Sequence, residues 1–297
     1  MSDSCESFKA HDNPRFSILV PAYNAEATLA ETVASVRKQT FDDWELVIVD
    51  DGSADSTFSL ASDTSVSDAR IRVIHQANRG TGGAYNTAVR EARADLLVML
   101  SADDLLLPDH LAAMDEHIRS NPEASVFTCD GYFQYEDGRR TLQDLDDRWR
   151  DSGAATLVDL CSACFFGIGA VFKREVFDSV GGFCENLYAE DYRFWLLALA
   201  HGYRHSYLDV PLSVHRRSST QKSAHAVLMR QADIAALREI IASGLLSPES
   251  LEAAQRSISR HLRVIRVRTM LSLMLGEHLA ARIIAAARGG YARGRRQ

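Results

Sequence analysis

Two stretches decide the fold: Ile48-Val49-Asp50-Asp51-Gly52-Ser53 and Leu97-Val98-Met99-Leu100-Ser101-Ala102-Asp103-Asp104. Each is a short apolar run that ends in paired carboxylates. This pattern reads as a buried strand running out into a loop. In an open α/β sheet, ligands gather at the carboxyl ends of the strands. Two acidic clusters at two such ends point to one site. It would suit a hard divalent cation and the polar groups of a nucleotide.

Outward from these runs, strands and helices alternate. Phe16 to Val20 reads as a strand stopped by Pro21. Ala27 to Lys38 reads as a helix, with Leu29, Val33 and Val36 at helical spacing. Trp44 to Val49, Ile71 to His75 and Leu96 to Leu100 are the next strands, and Gly80 to Arg93 is a Gly-rich turn that continues as a helix. Such alternation predicts a mostly parallel central sheet flanked by helices. Beyond Pro108 the pattern loosens. Leu111 to Arg119 reads as helix, Ser125 to Tyr135 as extended chain and Asp144 to Asp151 as a charged loop. Gly181-Gly182-Phe183 is a turn, and Asp191 to His201 is a helix with a strong apolar face. From Ala224 onward the chain reads as helix.

The bulk properties fit a globular chain. It has 297 residues, 46% apolar and 25% charged. No apolar run reaches the roughly 18–20 residues of a membrane span. Met1 to Asn13 is polar and lacks the apolar core of a signal peptide, so a cytoplasmic location is expected. Of five cysteines, Cys161 and Cys164 form a CxxC without a second pair to complete a zinc site. Reduced, packed thiols are the expectation. The net charge of −7 is unevenly spread. Lys222 to Gln297 holds 13 Lys and Arg against 5 Asp and Glu, a balance of +8 that leaves −15 on residues 1–221.

The motifs carry chemistry of different strengths. Tyr23, in Pro21-Ala22-Tyr23-Asn24, stands at a strand end, where it can stack on a base or simply pack. Asp50-Asp51-Gly52-Ser53 is also turn chemistry. Asn78-Arg79-Gly80-Thr81-Gly82-Gly83 lacks both the GxGxxG spacing and a Gly-Lys-Ser/Thr, so a dinucleotide or P-loop reading is poor. Its glycines suit close backbone approach and a tight start to the next helix. Asp103 and Asp104 repel each other unless a cation or hydrogen-bond donors compensate. Glu190-Asp191 begins a helix, where a carboxylate can cap, or can project into a cleft as a general base.

The ordered set Pro-Ala-Tyr-Asn, Asp-Asp-Gly-Ser, Asn-x-Gly, Ser-Ala-Asp-Asp, Gly-Gly-Phe and Glu-Asp resembles the family 2 glycosyltransferases of the GT-A fold. The resemblance covers about Pro14 to Ser223. It implies a GT-A domain over residues 14–223 and a helical C-terminal extension with a basic tail over 224–297. It also implies inverting transfer of a sugar from a nucleotide-sugar, with a UDP-sugar as the expected donor and Mg²⁺ or Mn²⁺ as cofactor. The expected acceptor is a glycan or lipid-linked saccharide in cell-surface polysaccharide synthesis. By motif, Pro21, Tyr23 and Asp51 would hold base and ribose, and Asn78 and Gly80 would line the nucleotide pocket. Asp103 would bind the metal bridging the diphosphate. Asp191 would be the catalytic base, with Glu190 beside it. Arg216 would contact the diphosphate, with Arg217 alongside on a mobile segment.

Three positions depart from the pattern. Ser101 stands where the metal motif often begins with Asp. Tyr85 stands where an Arg often precedes Asn86. His215-Arg216-Arg217-Ser218 replaces a Tyr-Arg-x-His-x-x-Ser run. Ser101 and Tyr85 favour the alternative, a non-catalytic nucleotide-sugar-binding or assembly subunit.

Ser257 to Arg288 mixes apolar residues with arginines. It suits a peripheral contact at the inner face of a membrane, or packing on the catalytic domain or a second copy. No recognition motif accompanies the charge, so no nucleic-acid partner is expected. Trp149, Phe165 and Phe166 are candidates for an acceptor platform or for core.

Overall fold

The computed structural model describes residues 13–143, 152–163, 166, 168–185, 187–218 and 225–275. The expectations for Trp149, Cys164, Phe165, residues 144–151 and the basic tail lie outside these residues.

The first four strands are β1 (Phe16–Ala22), β2 (Trp44–Asp50), β3 (Ile71–His75) and β4 (Leu96–Met99). Three are followed by helices: α1 (Leu29–Arg37) after β1, α2 (Thr57–Ser67) after β2 and α3 (Gly80–Glu91) after β3. They lie in the order β3-β2-β1-β4, all parallel. Alternate side chains enter opposite cores, as a period of two requires. Leu19, Val47, Val49, Leu97 and Met99 face one core, with α3. Ile18, Val20, Leu46, Ile48, Leu96 and Val98 face the other, with α1. Burial on both faces explains why these strands read as unbroken apolar runs.

The second half of the sheet is mixed. Its strands are β5 (Leu105–Leu106), β6 (Val126–Tyr135), β7 (Arg140–Leu142), β8 (Val171–Lys173) and β9 (His205–Arg217). β8 runs antiparallel to both β4 and β6, while β6 and β9 run parallel. β9 then pairs antiparallel with β5, and β7 with β6. The parallel expectation therefore holds for the half that carries the first motifs. Arg216 and Arg217 belong to the end of a 13-residue strand, not to a loop.

The remaining helices are α4 (His110–Ser120), α5 (Leu157–Ser162), α6 (Arg174–Val180), α7 (Glu190–Ala200), α8 (Ala226–Ala242) and α9 (Pro248–Leu275). α7 is seated by Phe194 and Trp195, both almost wholly buried, and Phe194 stacks on Phe183 with ring centroids 4.3 Å apart. Ala232, Ala236, Leu237 and Ile240 of α8, and Ala253 and Ala254 of α9, complete the same core as α3 and α7. Phe166 is core rather than platform. It is buried, stacks on His205 at 4.4 Å and meets Trp195 edge-on.

Candidate active site at the carboxyl ends of the sheet

Parallel register sets the site. Ala22 pairs with Asp50, and Asp50 with His75, so β1, β2 and β3 end side by side. The loops that follow carry Tyr23, Asp51 and Asn78. The loop after β4, on the other side of β1, carries Ser101 to Asp104.

The first two loops are sewn together. Asn24 adopts a positive φ of 48°, the left-handed region that Asn tolerates. Its backbone N–H donates to Ser53 Oγ at 2.9 Å, and its Oδ1 accepts from Ala54 N at 2.9 Å. Pro21 does not stop β1 as expected: it lies half-buried within the strand, opposite Val49 of β2 and past the last pairing with β4 at Leu19, and β1 runs on to Ala22. Tyr23 is 55% exposed, leaving its ring face open for stacking. The two adjacent aspartates have separate surroundings. Asp50 is fully buried, with its Oδ2 2.6 Å from His75 Nδ1. Asp51 is 2% exposed, and its Oδ1 accepts from Gln76 Nε2 at 2.7 Å and Arg79 N at 2.9 Å.

The Gly-rich stretch works by close approach. Asn78 Oδ1 accepts from Gly80 N at 3.1 Å and so shapes the turn into α3. Gly80 has φ +74°, and a Cβ at Gly82 would collide with the carbonyl oxygen of Cys184. Arg79 and Glu185 form an ion pair across the same contact. Asn86 acts as a stand-in for a strand partner. Its Nδ2 donates to Phe183 O at 2.9 Å, and its Oδ1 accepts from Phe183 N at 2.8 Å. The Gly-Gly-Phe turn that leads towards Asp191 is thereby fixed to α3.

The acidic loop is held from α1 and β9. Thr28 Oγ1 donates to Ala102 O at 2.9 Å, and the Thr32 hydroxyl lies 2.9 Å from the carbonyl oxygens of both Ala102 and Asp104. Asp104 is buried, and its Oδ1 accepts from the Arg216 backbone N–H at 2.8 Å. Burial first, and then the charge of Asp103, pushes the Asp104 carboxyl well above the usual carboxylate range. Asp103 is only half-buried. The Arg216 guanidinium pairs with Glu31, and Arg217 lies 4.2 Å over the ring of Phe133.

Glu190 and Asp191 form the first turn of α7. Glu190 is buried and Asp191 is half-buried, its Oδ1 accepting from Tyr192 N at 2.8 Å. Tyr85 links the two acidic regions. It is buried, and Glu190, Asp191, Asp104 and Ser101 all act on its hydroxyl. Burial, and then the charges of Glu190, Asp191 and Asp104, hold that phenol well above its ordinary value. The two departures from the motif pattern, Tyr85 and Ser101, are therefore neighbours.

Among the described residues, no group of three or more His, Cys, Asp and Glu could cage a metal. The arrangement fits a cation held by one carboxylate and by phosphate oxygens of a ligand, the usual mode for Mg²⁺. Sequence reasoning missed Thr28, Thr32, Asn86 and Asp104 as supports. Asn86 is the one it could have found, since an Asn inside an apolar helix face needs partners.

A mixed sheet with nucleotide-suited loops at its parallel ends, and an acidic helix start opposite them, is the architecture of the GT-A glycosyltransferases. The chain belongs to glycosyl transferase family 2, whose model matches residues 17–181. A relative is the UDP-Glc:alpha-D-GlcNAc-diphosphoundecaprenol beta-1,3-glucosyltransferase WfgD of Escherichia coli. It is 37% identical over 102 residues, which cover 34% of this chain and 39% of that one. The chain spans 37–40% of the length of such curated relatives. Among solved structures, S. aureus TarS 1-349 in complex with UDP-GlcNAc aligns with TM-score 0.70 at 21% identity, over 88% of this chain and 76% of that one. Mannosyltransferase PcManGT from Pyrobaculum calidifontis, in complex with GDP-Man and Mn2+, aligns with TM-score 0.65 at 20% identity, over 96% and 83%. At these identities the likeness establishes the GT-A fold.

Proposed function

We propose that the protein is an inverting glycosyltransferase that moves a sugar from a UDP-sugar to a glycan or lipid-linked saccharide. The observation that carries this reading is the convergence of Tyr23, Asp51, Asn78 and Asp103 on four neighbouring strand ends, with Asp191 at the helix start joined to them through α3. The UDP-GlcNAc bound by TarS and the diphosphoundecaprenol-linked acceptor in the name of WfgD support the choice of donor and acceptor. The name of WfgD also supports a role in cell-surface polysaccharide synthesis, on the cytoplasmic side of the membrane. No helix among the described residues is long and apolar enough to cross one.

Tyr23 stacks on the base, and the buried Asp51 carboxylate reads its edge. Pro21, Asn78 and Gly80 line the nucleotide pocket through backbone and amide groups. Asp103 would hold a divalent cation, Mg²⁺ or Mn²⁺, and the chemistry such an ion would supply is neutralisation of the charge that builds on the departing diphosphate. Arg216 gives up Glu31 to reach the diphosphate when donor binds. Inversion is a single in-line displacement, so one base is needed on the acceptor side. Asp191 takes the proton from the acceptor hydroxyl as the new bond forms. Buried Glu190 keeps the helix start in place beside it.

The test is thermal stability with UDP, GDP, dTDP and CDP, each with Mn²⁺ and with EDTA, followed by transfer assays. A ligand that binds the native state raises the midpoint by mass action. Mn²⁺-dependent stabilisation by UDP, together with transfer that is lost in Asp191→Asn while UDP binding survives, is the expected result. Full transfer by Asp191→Asn would remove that residue from the mechanism. UDP binding with no transfer to any saccharide acceptor would favour a non-catalytic subunit.

A further inference from the structure

α9 is half packed and half bare. Over its first turns Ser250, Ala253, Ala254, Ser257 and His261 are buried, and the helix leans on α5 and α8. Arg260 and Ser257 both reach the carbonyl oxygen of Ser162 at the end of α5. Past His261, no described residue of the helix is buried. Val267 is 49% exposed, Met270 61%, Leu273 82%, Met274 76% and Leu275 42%. Isolated apolar side chains on a surface need no explanation, but a cluster does. Five of the twelve large apolar side chains exposed among the described residues fall within these nine positions.

The spacing gives the cluster one face. Val267, Met270 and Met274 follow at i, i+3 and i+7, with Leu273 between the turns. Arg263 stands four residues before Val267, and Arg266 four before Met270, so the same face is basic. Between Glu252 and Glu277 the sequence has five arginines and no carboxylate.

Two occupants would bury such a face. A second copy of the helix would bring a second set of arginines to the face in either orientation, with no acidic residue in the stretch to offset them. A bilayer with anionic headgroups offers phosphates to the arginines and acyl chains to the methionines and leucine. We propose that the Arg263–Leu275 half of α9 docks on an anionic lipid surface as an interfacial helix.

The charge asymmetry gives this docking a direction. Residues 1–221 carry −15 and are repelled by the same headgroups that attract the C-terminal arginines. The helix is thus the side that touches lipid, and the acidic catalytic body stands off it. The proposal adds to the transferase reading the place where a lipid-linked acceptor is met.

Binding is measured without donor or acceptor, so its failure leaves the transferase reading standing, and the reverse also holds. The full chain is sedimented with phosphatidylcholine vesicles, with and without phosphatidylglycerol. Binding that requires phosphatidylglycerol, and that is lost in about 1 M NaCl where the screening length is about 3 Å, is the expected result. The double variant Leu273→Ser, Met274→Ser is expected to bind at least about ten-fold more weakly. The variant's midpoint and its response to UDP should equal those of the parent, since neither side chain is buried. No binding by the parent overturns the proposal, as does equal binding to neutral vesicles. A dimer in sedimentation velocity that the double variant dissolves would overturn it in favour of a second copy.

Discussion

The backbone N–H of Arg216 donates to the carboxylate of Asp104, 112 residues earlier in the chain, at 2.8 Å. This bond joins the acidic loop after β4 to the last residues of β9. It gives the neighbouring aspartates different work. Asp104 is buried and spent on the backbone, while Asp103 is only half-buried.

The two aspartates should therefore respond differently to the same substitution. Asp104→Asn keeps an oxygen that accepts from Arg216 and should leave unfolding free energy within about 1 kcal/mol of the parent. Asp104→Ala leaves the N–H without its partner and should cost about 1–3 kcal/mol. Asp103→Asn should leave stability unchanged and remove the Mn²⁺-dependent part of UDP stabilisation. Urea unfolding and nucleotide titration check all three. A loss of metal response in Asp104→Asn equal to that in Asp103→Asn would overturn the division.

Asn86 should be a support whose loss is felt at Asp191. Asn86→Ala removes both hydrogen bonds to Phe183 in a buried place, at a cost of about 2–4 kcal/mol. Transfer should fall through kcat while the UDP response remains, because the Gly-Gly-Phe turn lies on the side of α7. A variant with raised KM for donor and unchanged kcat would place Asn86 in the donor site instead.

Stability should fall in mild acid because of buried neutral histidines. Burial presses His205 down to about 3 and His110 down to about 4. Ala155 N–H donates to His205 Nδ1 at 2.8 Å, and Thr128 Oγ1 lies 2.7 Å from Nε2, an arrangement suited to the neutral ring. Both rings stay neutral in the native state, and both take up a proton on unfolding once pH falls below about 6.5. The stabilisation is thus complete above about 6.5 and shrinks on the way to 4. At pH 5 the loss is about 2 kcal/mol for each ring. Thermal midpoints from pH 7.5 to 5 measure it. A flat profile would contradict the buried neutral assignment.

Asp233 on α8 should move the opposite way. Burial first, and then the charge of Asp191, raises its carboxyl to about 6, against the pull of Arg230. The native state keeps this proton at pH values where the unfolded chain has released it, so stability is lost as pH rises through about 4 to 6. Asp233→Asn should be more stable than the parent at pH 8, by up to about 3 kcal/mol. The advantage should vanish at pH 4. A less stable variant at pH 8 would mean that Arg230 and His261, the latter 3.8 Å away, outweigh the cost of burial.

Much of the parallel half of the sheet was legible because its signals are local. β1, β2 and β4 are apolar runs followed by polar loops, although β1 continues through Pro21, its expected stop, to Ala22. The sequence also shows the start of α7, since Glu190-Asp191 precedes an apolar face. β9 was not legible. Pro211 falls within it, its pairing with β6 slips at Cys129 to Gly131, and its last residues are charged. Phe166 could be read as platform or as core, because only its contacts with His205 and Trp195 decide between them. Thr28 and Thr32 could not be read either. A hydroxyl that meets a carbonyl 70 or more residues away leaves no pattern along the chain.

The contact of Gly82 with the Cys184 carbonyl fixes a length. One side of it is the helix start that carries Asn78 and Gly80, and the other leads to Asp191. Backbone meets backbone there, so no rotamer change can widen or narrow the separation. On the transferase reading proposed above, the span from leaving group to attacking hydroxyl would be gauged by peptide geometry. Acceptors of different size must then be accommodated outside this gap, and a change of specificity in this chain would come from its rim, with the gap itself left untouched.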